Sequence, residues 1–388
     1  MASEKNTLII LSLLFFMITA SIFLRACAGA TNYQSPDSFF YLQAAENLLT
    51  GKGMVAPYTY PFDATSPVQY FAIWPIGYPL LIAALGLLIP DLLWASKVVN
   101  LLFLAGMVIL LYKRFGKFGP WAALAFVSYG MMEVYSHTWS EGPFLFFVLA
   151  FVVLLEKNNT SKYWKILTLV LIGLFTLRYA GIIFWAFLFF HFLYTYFYLG
   201  TKKQKHYAYT LALSALYLLA YLGFNYWQTG HLTGAPRIYP GQESTNTFLY
   251  YLGRGVLNIF AFARNFWSFG AKDILALVLF LFQLLVVFFL IKKTGRPSGL
   301  FQTLPFQVAI FYLLGIIFLR IISPFDAFDF RILSPIVLLL YVYGLAHLGQ
   351  LVENVQKKKV ALLSFLTVSW LVNLPNKFLW DKWLGLWG

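Results

Sequence analysis

Long apolar runs dominate the chain and are separated by short polar segments. A run of about 20 mostly apolar residues is long enough to cross a bilayer as a helix. Eleven runs approach this length: 7–28, 91–112, 118–136, 142–156, 164–177, 179–200, 206–227, 273–291, 302–321, 332–350 and 360–374. The pattern therefore predicts an all-α, polytopic protein with about eleven transmembrane helices in one membrane domain, residues 1–388, with no separate soluble domain.

Two of the polar segments are long, about residues 29–90 and 228–272. Loops longer than about 12–15 residues are usually functional or disordered, and both segments are rich in Tyr, Phe and Trp, so we expect order. In the first, Pro36-Asp37-Ser38 suits a helix start, and Gly51 and Gly53 suit its end. We predict an amphipathic helix on the outer membrane surface here. Asp37 then either caps this helix or points into a cavity.

Composition agrees with a membrane protein. Of 388 residues, 61% are hydrophobic and 11% charged, against roughly 45–50% and about 25% in soluble domains. The mean hydropathy is +0.74. The single cysteine, Cys27, excludes an internal disulfide and a cysteine-ligated metal centre.

The net charge of +14 has an uneven distribution along the chain. If the N-terminus is cytoplasmic, the short inner segments hold 16 of the 28 basic residues and three of the 14 acidic ones. Lys and Arg on short cytoplasmic loops orient membrane proteins. We therefore predict an inner-membrane protein with a cytoplasmic N-terminus and both long segments outside, and the basic charge requires no nucleic-acid partner.

Acidic side chains near membrane depth usually mark function. Glu133, His137 and Glu141 recur every four residues and share one face if the helix continues. That face would suit a divalent metal or a proton relay. Gly142-Pro143 indicates a helix break instead, and a simple hydrogen bond between neighbours is the plainer interpretation. The chain contains no HExxH motif, Walker A loop or dinucleotide fingerprint.

Several arginines fall in the predicted outer segments. Arg178 follows the fifth run, Arg254 lies in the second long segment, and Arg331 precedes the tenth run. A guanidinium is a planar fork of donors that suits phosphate oxygens, so an anionic lipid headgroup is a candidate partner. Arg178 is also placed to extend its head group to the membrane interface, and Arg331 is placed to pair locally with Asp329.

The stretch from Asp37 to Gly53, followed by Trp74-Pro75-Ile76-Gly77-Tyr78-Pro79-Leu80-Leu81, resembles the first outer loop of GT-C membrane glycosyltransferases. That superfamily includes dolichyl-phosphate-mannose protein mannosyltransferases and bacterial aminoarabinose transferases. Three later segments are also similar to recurrent GT-C segments, in the same order: Ser140-Glu141-Gly142-Pro143-Phe144, Leu177-Arg178-Tyr179-Ala180-Gly181 and Arg331-Ile332-Leu333-Ser334-Pro335. The resemblance covers roughly residues 7–340.

The resemblance implies transfer of a sugar, with inversion, from a polyprenyl-phosphate donor to a hydroxyl of a lipid, glycan or protein on the outer face. It implies that Asp37 is the catalytic base. The remaining roles that it implies are phosphate binding by Arg178, Arg331 and Arg254, and acceptor or accessory contacts by Glu141, His137 and Tyr78. The need for a divalent cation is left open, with Asp37, His137 and Glu141 as the residues that would hold one.

Two alternatives stay open. An O-antigen ligase or polymerase type of enzyme uses lipid-linked glycans on the outer face through a late loop rich in Arg and His, which His231, Arg237, Arg254 and Arg264 match loosely. A lipid or small-molecule transporter would line a pathway with charges and broken helices. No internal repeat relates the two halves of this sequence, which disfavours the transporter.

Overall fold

The computed structural model describes residues 2–29, 31–57, 67–157, 160–199, 204–234, 244–270, 273–291, 303–322, 325 and 328–375. Within these ranges the only strands form one small antiparallel sheet, and the rest of the regular structure is helical. The helices are α1 (Ala2–Ala28), α2 (Pro36–Leu49), α3 (Gly77–Gly86), α4 (Leu92–Phe115), α5 (Gly119–Ala123), α6 (Tyr129–Ser136), α7 (Glu141–Glu156), α8 (Thr160–Leu177), α9 (Ile182–Leu199), α10 (Gln204–Thr229), α11 (Thr245–Phe260), α12 (Ile274–Ile291), α13 (Leu304–Ile322), α14 (Ser334–Val352) and α15 (Gln356–Asn373). Strands β1 (Val55–Pro57) and β2 (Val68–Tyr70) pair with Val55 opposite Tyr70.

The prediction of a helical membrane protein is confirmed. In the described part of the chain, six helical segments are long and apolar enough to cross a membrane: Glu4–Ala28, Leu92–Val127, Tyr179–Tyr198, Lys205–Thr229, Leu304–Ile322 and Ser334–Val352. Ile274–Leu290 and Gly77–Gly86 are apolar but shorter. Helix α7 is apolar too, but has only 16 residues.

The run predicted as one span over 118–136 is interrupted. Helix α5 ends at Ala123, a 3₁₀ turn covers Leu124–Val127, and Ser128 is extended before α6 begins. The backbone N–H and the hydroxyl of Ser128 both donate to the carbonyl oxygen of Ala125, at 3.2 and 2.7 Å. This side-chain bond competes with continued helix, and hydropathy alone does not reveal it.

The predicted helix over residues 36–49 is confirmed as α2. Ser35 is its N-cap. The Ser35 N–H donates to Ser38 Oγ at 3.0 Å, and the Ser38 N–H donates to the carbonyl oxygen of Ser35 at 2.9 Å. Gly51 and Gly53 follow the helix with φ of 78° and 86°, the left-handed region that glycine adopts readily. The interpretation of Asp37 as the cap is therefore wrong, and its carboxylate is available for another contact.

Helix α7 is the central helix of the fold. It packs on α4, α8, α13 and α14, and most of its side chains are buried, as expected for a helix that is apolar on every side. Its first residue, Glu141, is 0% exposed. The packing therefore places a carboxylate inside the protein at one end of the central helix.

A glycine allows α3 to approach α8 closely. A Cβ on Gly77 would lie 2.6 Å from the carbonyl oxygen of Thr176, closer than real Cβ contacts. Only glycine fits this crossing without a shift of backbone. The contact fixes the segment that contains Trp74 and Pro75 against the end of α8, which Arg178 follows.

Candidate functional site

The connection between α6 and α7, residues 137–140, is held by buried polar side chains. Three donors from α2 and α4 bond successive carbonyl oxygens: Lys97 Nζ to Ser136 (2.6 Å), Asn100 Nδ2 to His137 (2.9 Å) and Ser38 Oγ to Thr138 (3.0 Å). Buried carbonyl groups are normally paired in this way. The connection is thereby fixed, and so is the start of α7 at Glu141.

Four charged side chains meet at the start of α7. The Arg331 guanidinium contacts the carboxylates of both Asp37 and Glu141, and the Arg178 guanidinium contacts Glu141. We call Asp37, Glu141, Arg178 and Arg331 the charge quartet. Glu141 is 0% exposed, while the other three side chains retain between 13% and 18% exposure. Charges at this depth are stable only when paired, and the two guanidinium groups balance the two carboxylates.

The turn before α14 aims Arg331 at the quartet. Asp329 Oδ1 accepts hydrogen bonds from the backbone N–H groups of Arg331 and Ile332, both at 3.0 Å. The Arg331 guanidinium lies 4.6 Å from the centre of the Trp139 ring. Arg331 therefore does more than pair locally with Asp329: Asp329 shapes the turn, and the guanidinium reaches Asp37 and Glu141.

A cavity of about 410 Å³ lies beside the quartet. Arg178, Arg331 and Asp329 contribute charge to its wall, and most of the remaining wall is apolar or aromatic. Representative lining residues are Tyr41, Trp74, Phe175, Tyr179, Leu222 and Ile316. Among the described residues, the lining includes Arg178 and Arg331 of the quartet but not Asp37 or Glu141. The site thus combines a largely apolar chamber with two guanidinium groups and the Asp329 carboxylate.

Tyr41 connects the cavity to the fixed connection. Its hydroxyl lies 3.2 Å from Ser140 Oγ, and burial raises the pKa of Tyr41 to about 12. The phenol is therefore neutral at physiological pH. It is a hydrogen-bond donor on the cavity wall, next to the two guanidinium groups.

The structure places His137 in a different cluster. Arg25, at the end of α1, contacts the Glu133 carboxylate, and His137 Nδ1 lies 3.7 Å from that carboxylate and 2.9 Å from the Glu133 carbonyl oxygen. We call Arg25, Glu133 and His137 the Arg25 cluster. Burial lowers the pKa of His137 to about 3, so this imidazole is neutral. The expectation of one shared helix face for Glu133, His137 and Glu141 is wrong, because α6 ends at Ser136.

Tyr78 supports the site from behind. It is fully buried, and its hydroxyl donates to Asn100 Oδ1 at 3.1 Å. Asn100 in turn holds the carbonyl of His137. The ring of Tyr78 stands edge-on to that of Tyr41, with 5.1 Å between centroids. Tyr78 therefore orients the residues of the connection and does not line the described cavity.

Arg254 has local partners. On α11, its guanidinium donates to the carbonyl oxygen of Trp267 and lies 4.9 Å from the centre of the Tyr251 ring. It is not among the described residues that line the cavity. Arg237, another basic residue considered for this loop, lies outside the described residues.

The residues expected to hold a metal are divided between the two clusters. Asp37 and Glu141 contact Arg331, whereas His137 contacts Glu133. In the described ranges, no group of three or more His, Cys, Asp or Glu side chains is arranged to hold a metal ion.

Sequence reasoning assigned no contact to Arg25 and overlooked Lys97. Both are buried, at 4% and 1% exposure. The available signal was a charged residue within or at the end of an apolar run. That signal shows that a partner is required, but the partners lie far away in sequence.

Comparisons with protein-family models, curated proteins and solved structures find no match to the chain, so function is inferred from the residues of the site.

Proposed function

We propose that the protein is a membrane glycosyltransferase of GT-C type. It would move a sugar from a polyprenyl-phosphate donor to a hydroxyl of a lipid, glycan or protein on the outer face of the inner membrane. This proposal includes about eleven spans, a cytoplasmic N-terminus and an outward-facing quartet. The observation that carries it is the pair Arg178 and Arg331 on the wall of a largely apolar cavity, with Asp37 bound to Arg331.

The cavity suits the two parts of such a donor. Its apolar and aromatic wall complements an isoprenoid chain, and two guanidinium groups complement a phosphate. Fixed donors aimed at a leaving phosphate stabilise the charge that develops as the sugar bond breaks. Arg254, which donates to Trp267, is less suited to this role than Arg178 and Arg331.

The Arg331 guanidinium occupies the Asp37 carboxylate while the two are paired. A donor phosphate competes for the same guanidinium. In the proposed mechanism, phosphate binding draws Arg331 away and frees the Asp37 carboxylate. Asp37 then accepts the proton of the acceptor hydroxyl, whose oxygen bonds to the sugar carbon while the carbon–oxygen bond to the phosphate breaks. A positioned base typically contributes about 10²–10⁴-fold in rate.

Glu141 has a positioning role in this mechanism. It is 0% exposed and contacts both arginines, so it holds the two guanidinium groups near each other despite their like charge. The fixed connection before α7 keeps Glu141 in place. Tyr78 contributes through Asn100, which accepts from the Tyr78 hydroxyl and donates to the backbone carbonyl of His137 in that connection.

The direct test measures free polyprenyl phosphate released from labelled polyprenyl-phosphate sugars by the purified, reconstituted protein. We expect Asp37→Asn to lose release by about 10²–10⁴-fold. Asp91→Asn is the matched control, because Asp91 only caps α4 and asparagine caps equally well. Equal release by the wild type and Asp37→Asn would remove Asp37 from the mechanism. No release from any donor, with acceptor extracts supplied, would favour the ligase or polymerase type of enzyme. Counterflow of substrate in sealed vesicles without bond cleavage would instead favour a transporter.

A further inference from the structure

A second cavity, of about 790 Å³, lies along the N-terminal half of α1. Helices α1 and α15 form its sides, and both pack on residues 119–127, which form its floor. Arg25, by contrast, lies in the last turn of α1. The groove therefore lies toward the opposite end of α1 from the Arg25 cluster and shares no lining residue with the cavity at the quartet.

The length of this groove matches one leaflet of a bilayer. Its lining runs from Asn6 to Met17 on α1 and from Lys359 to Trp370 on α15. At 1.5 Å rise per residue, each side is about 16 Å long, roughly half of the ~30 Å hydrocarbon core. Past the far end, Trp370 Nε1 donates to Ser21 Oγ at 2.8 Å and ties the two helices together.

One end of the groove is charged and the rest is mainly apolar. Lys117, Glu353 and Lys359 line the charged end, whereas Leu14, Leu124 and Leu363 are among the apolar lining residues. The amine of Lys117 lies 2.7 Å from the carboxylate of Glu353, with side chains 54% and 42% exposed. A pair this exposed is weak and leaves the lysine accessible to another anion.

The start of α15 adds to the positive charge at this end. Its first turn carries Lys357, Lys358 and Lys359 and no acid, and its N-cap, Val355, makes no side-chain cap hydrogen bond. The N-terminus of a helix already has partial positive charge and favours anions. Three lysines add further positive charge at a helix terminus that is already positive. A bound anion would therefore complement both the lysines and the helix terminus.

We infer that this groove binds an acidic glycerophospholipid, with one acyl chain between α1 and α15 and the phosphate at Lys117 and Lys359. The inference does not depend on the proposed transferase activity. In the orientation that the charge distribution predicts, the lipid comes from the cytoplasmic leaflet, whose surface is anionic.

The test places the full-length protein in nanodiscs of phosphatidylglycerol or phosphatidylcholine and counts the lipids retained after release into detergent by native mass spectrometry. We expect retention of phosphatidylglycerol in preference to phosphatidylcholine. The double variant Lys117→Gln/Lys359→Gln should weaken it about fivefold for each lysine, corresponding to ~1 kcal/mol per basic residue. Lys113→Gln/Lys162→Gln removes the same charge away from the groove and should not.

Filling the apolar part of the groove provides the second arm. Leu363→Trp should abolish retention, whereas Leu371→Trp, on the same helix but outside the groove lining, should not. Thr367→Trp fills the groove from an exposed position and replaces Leu363→Trp if that variant does not fold. Equal retention of both phospholipids, retention unchanged by the groove variants, or a second copy of the chain seated on the groove would each overturn the inference.

Discussion

Arg331, in the turn before α14, forms an ion pair with Asp37 in the first turn of α2. The same guanidinium contacts Glu141 at the start of α7. One side chain therefore joins three elements that are distant in sequence, and it lies over the Trp139 ring as it does so. The first turn of α2 and the turn before α14 are thus linked through a single guanidinium group.

Removing that cation should destabilise the fold. Arg331→Gln leaves the Asp37 carboxylate unpaired and gives Glu141 only Arg178 as a partner. Loss of one member of a buried ion pair costs about 3–5 kcal/mol, so we expect a clearly lower thermal unfolding midpoint in detergent. The double variant Arg331→Gln/Glu141→Gln should recover part of the loss, and strict additivity of the two single changes would show that they are not coupled.

The crossing of α3 and α8 gives a steric prediction. In Gly77→Ala, the new Cβ meets the Thr176 carbonyl oxygen, which is backbone and cannot rotate away. Overpacking of this kind costs about 1–3 kcal/mol, and the shift reaches Arg178, two residues beyond Thr176. We expect a lower unfolding midpoint together with weaker donor turnover. Gly223→Ala is the matched control, because nothing lies within 4 Å of its Cβ position; a similar loss in both variants would contradict the steric explanation.

Arg178 and Arg254 should differ in donor binding. The first lines the cavity and the second donates to Trp267. A charge-assisted hydrogen bond contributes about 1.5–3 kcal/mol, so Arg178→Gln should weaken binding of labelled polyprenyl phosphate by about tenfold to 100-fold. Arg254→Gln should leave the affinity almost unchanged. If Arg254→Gln weakens binding more than Arg178→Gln does, the phosphate site lies in the second long segment, with Arg254.

Local structure was predictable where the signal is local. The helix over residues 36–49 follows from Pro36 at its start and Gly51 and Gly53 after its end, and the structure confirms it. The interruption at Ser128 was not predicted, because hydropathy averages over the run and does not register one hydroxyl that bonds a carbonyl three residues earlier.

Pairing between distant residues was beyond the sequence. The structure brings the side chains of Asp37, Glu141, Arg178 and Arg331 together, and their roles stay predictions. Which carboxylate each arginine contacts depends on how α2, α7, α8 and α14 pack, and no local pattern encodes that. For the same reason His137 was grouped with Glu141, although the break after Ser136 leaves it beside Glu133.

The buried imidazole of His137 gives a pH dependence whose direction is fixed by its environment. Burial lowers the pKa of His137 from 6.5 to about 3. When the pH falls below 6.5, the unfolded chain takes up a proton that the folded protein does not, so stability is lost progressively between about pH 6.5 and pH 3. Between pH 7 and pH 5 this amounts to about 2 kcal/mol.

The measurement compares the unfolding free energies of the wild type and His137→Gln at pH 7 and pH 5. The glutamine variant retains every other titrating group, so those contributions cancel in the comparison. Its unfolding free energy should fall by about 2 kcal/mol less than that of the wild type over this interval. Equal losses in both proteins would mean that the imidazole takes up a proton as readily in the folded state as in the unfolded chain, and would contradict its neutral, buried position between Glu133 and the Trp139 ring, on which it stacks at 3.8 Å.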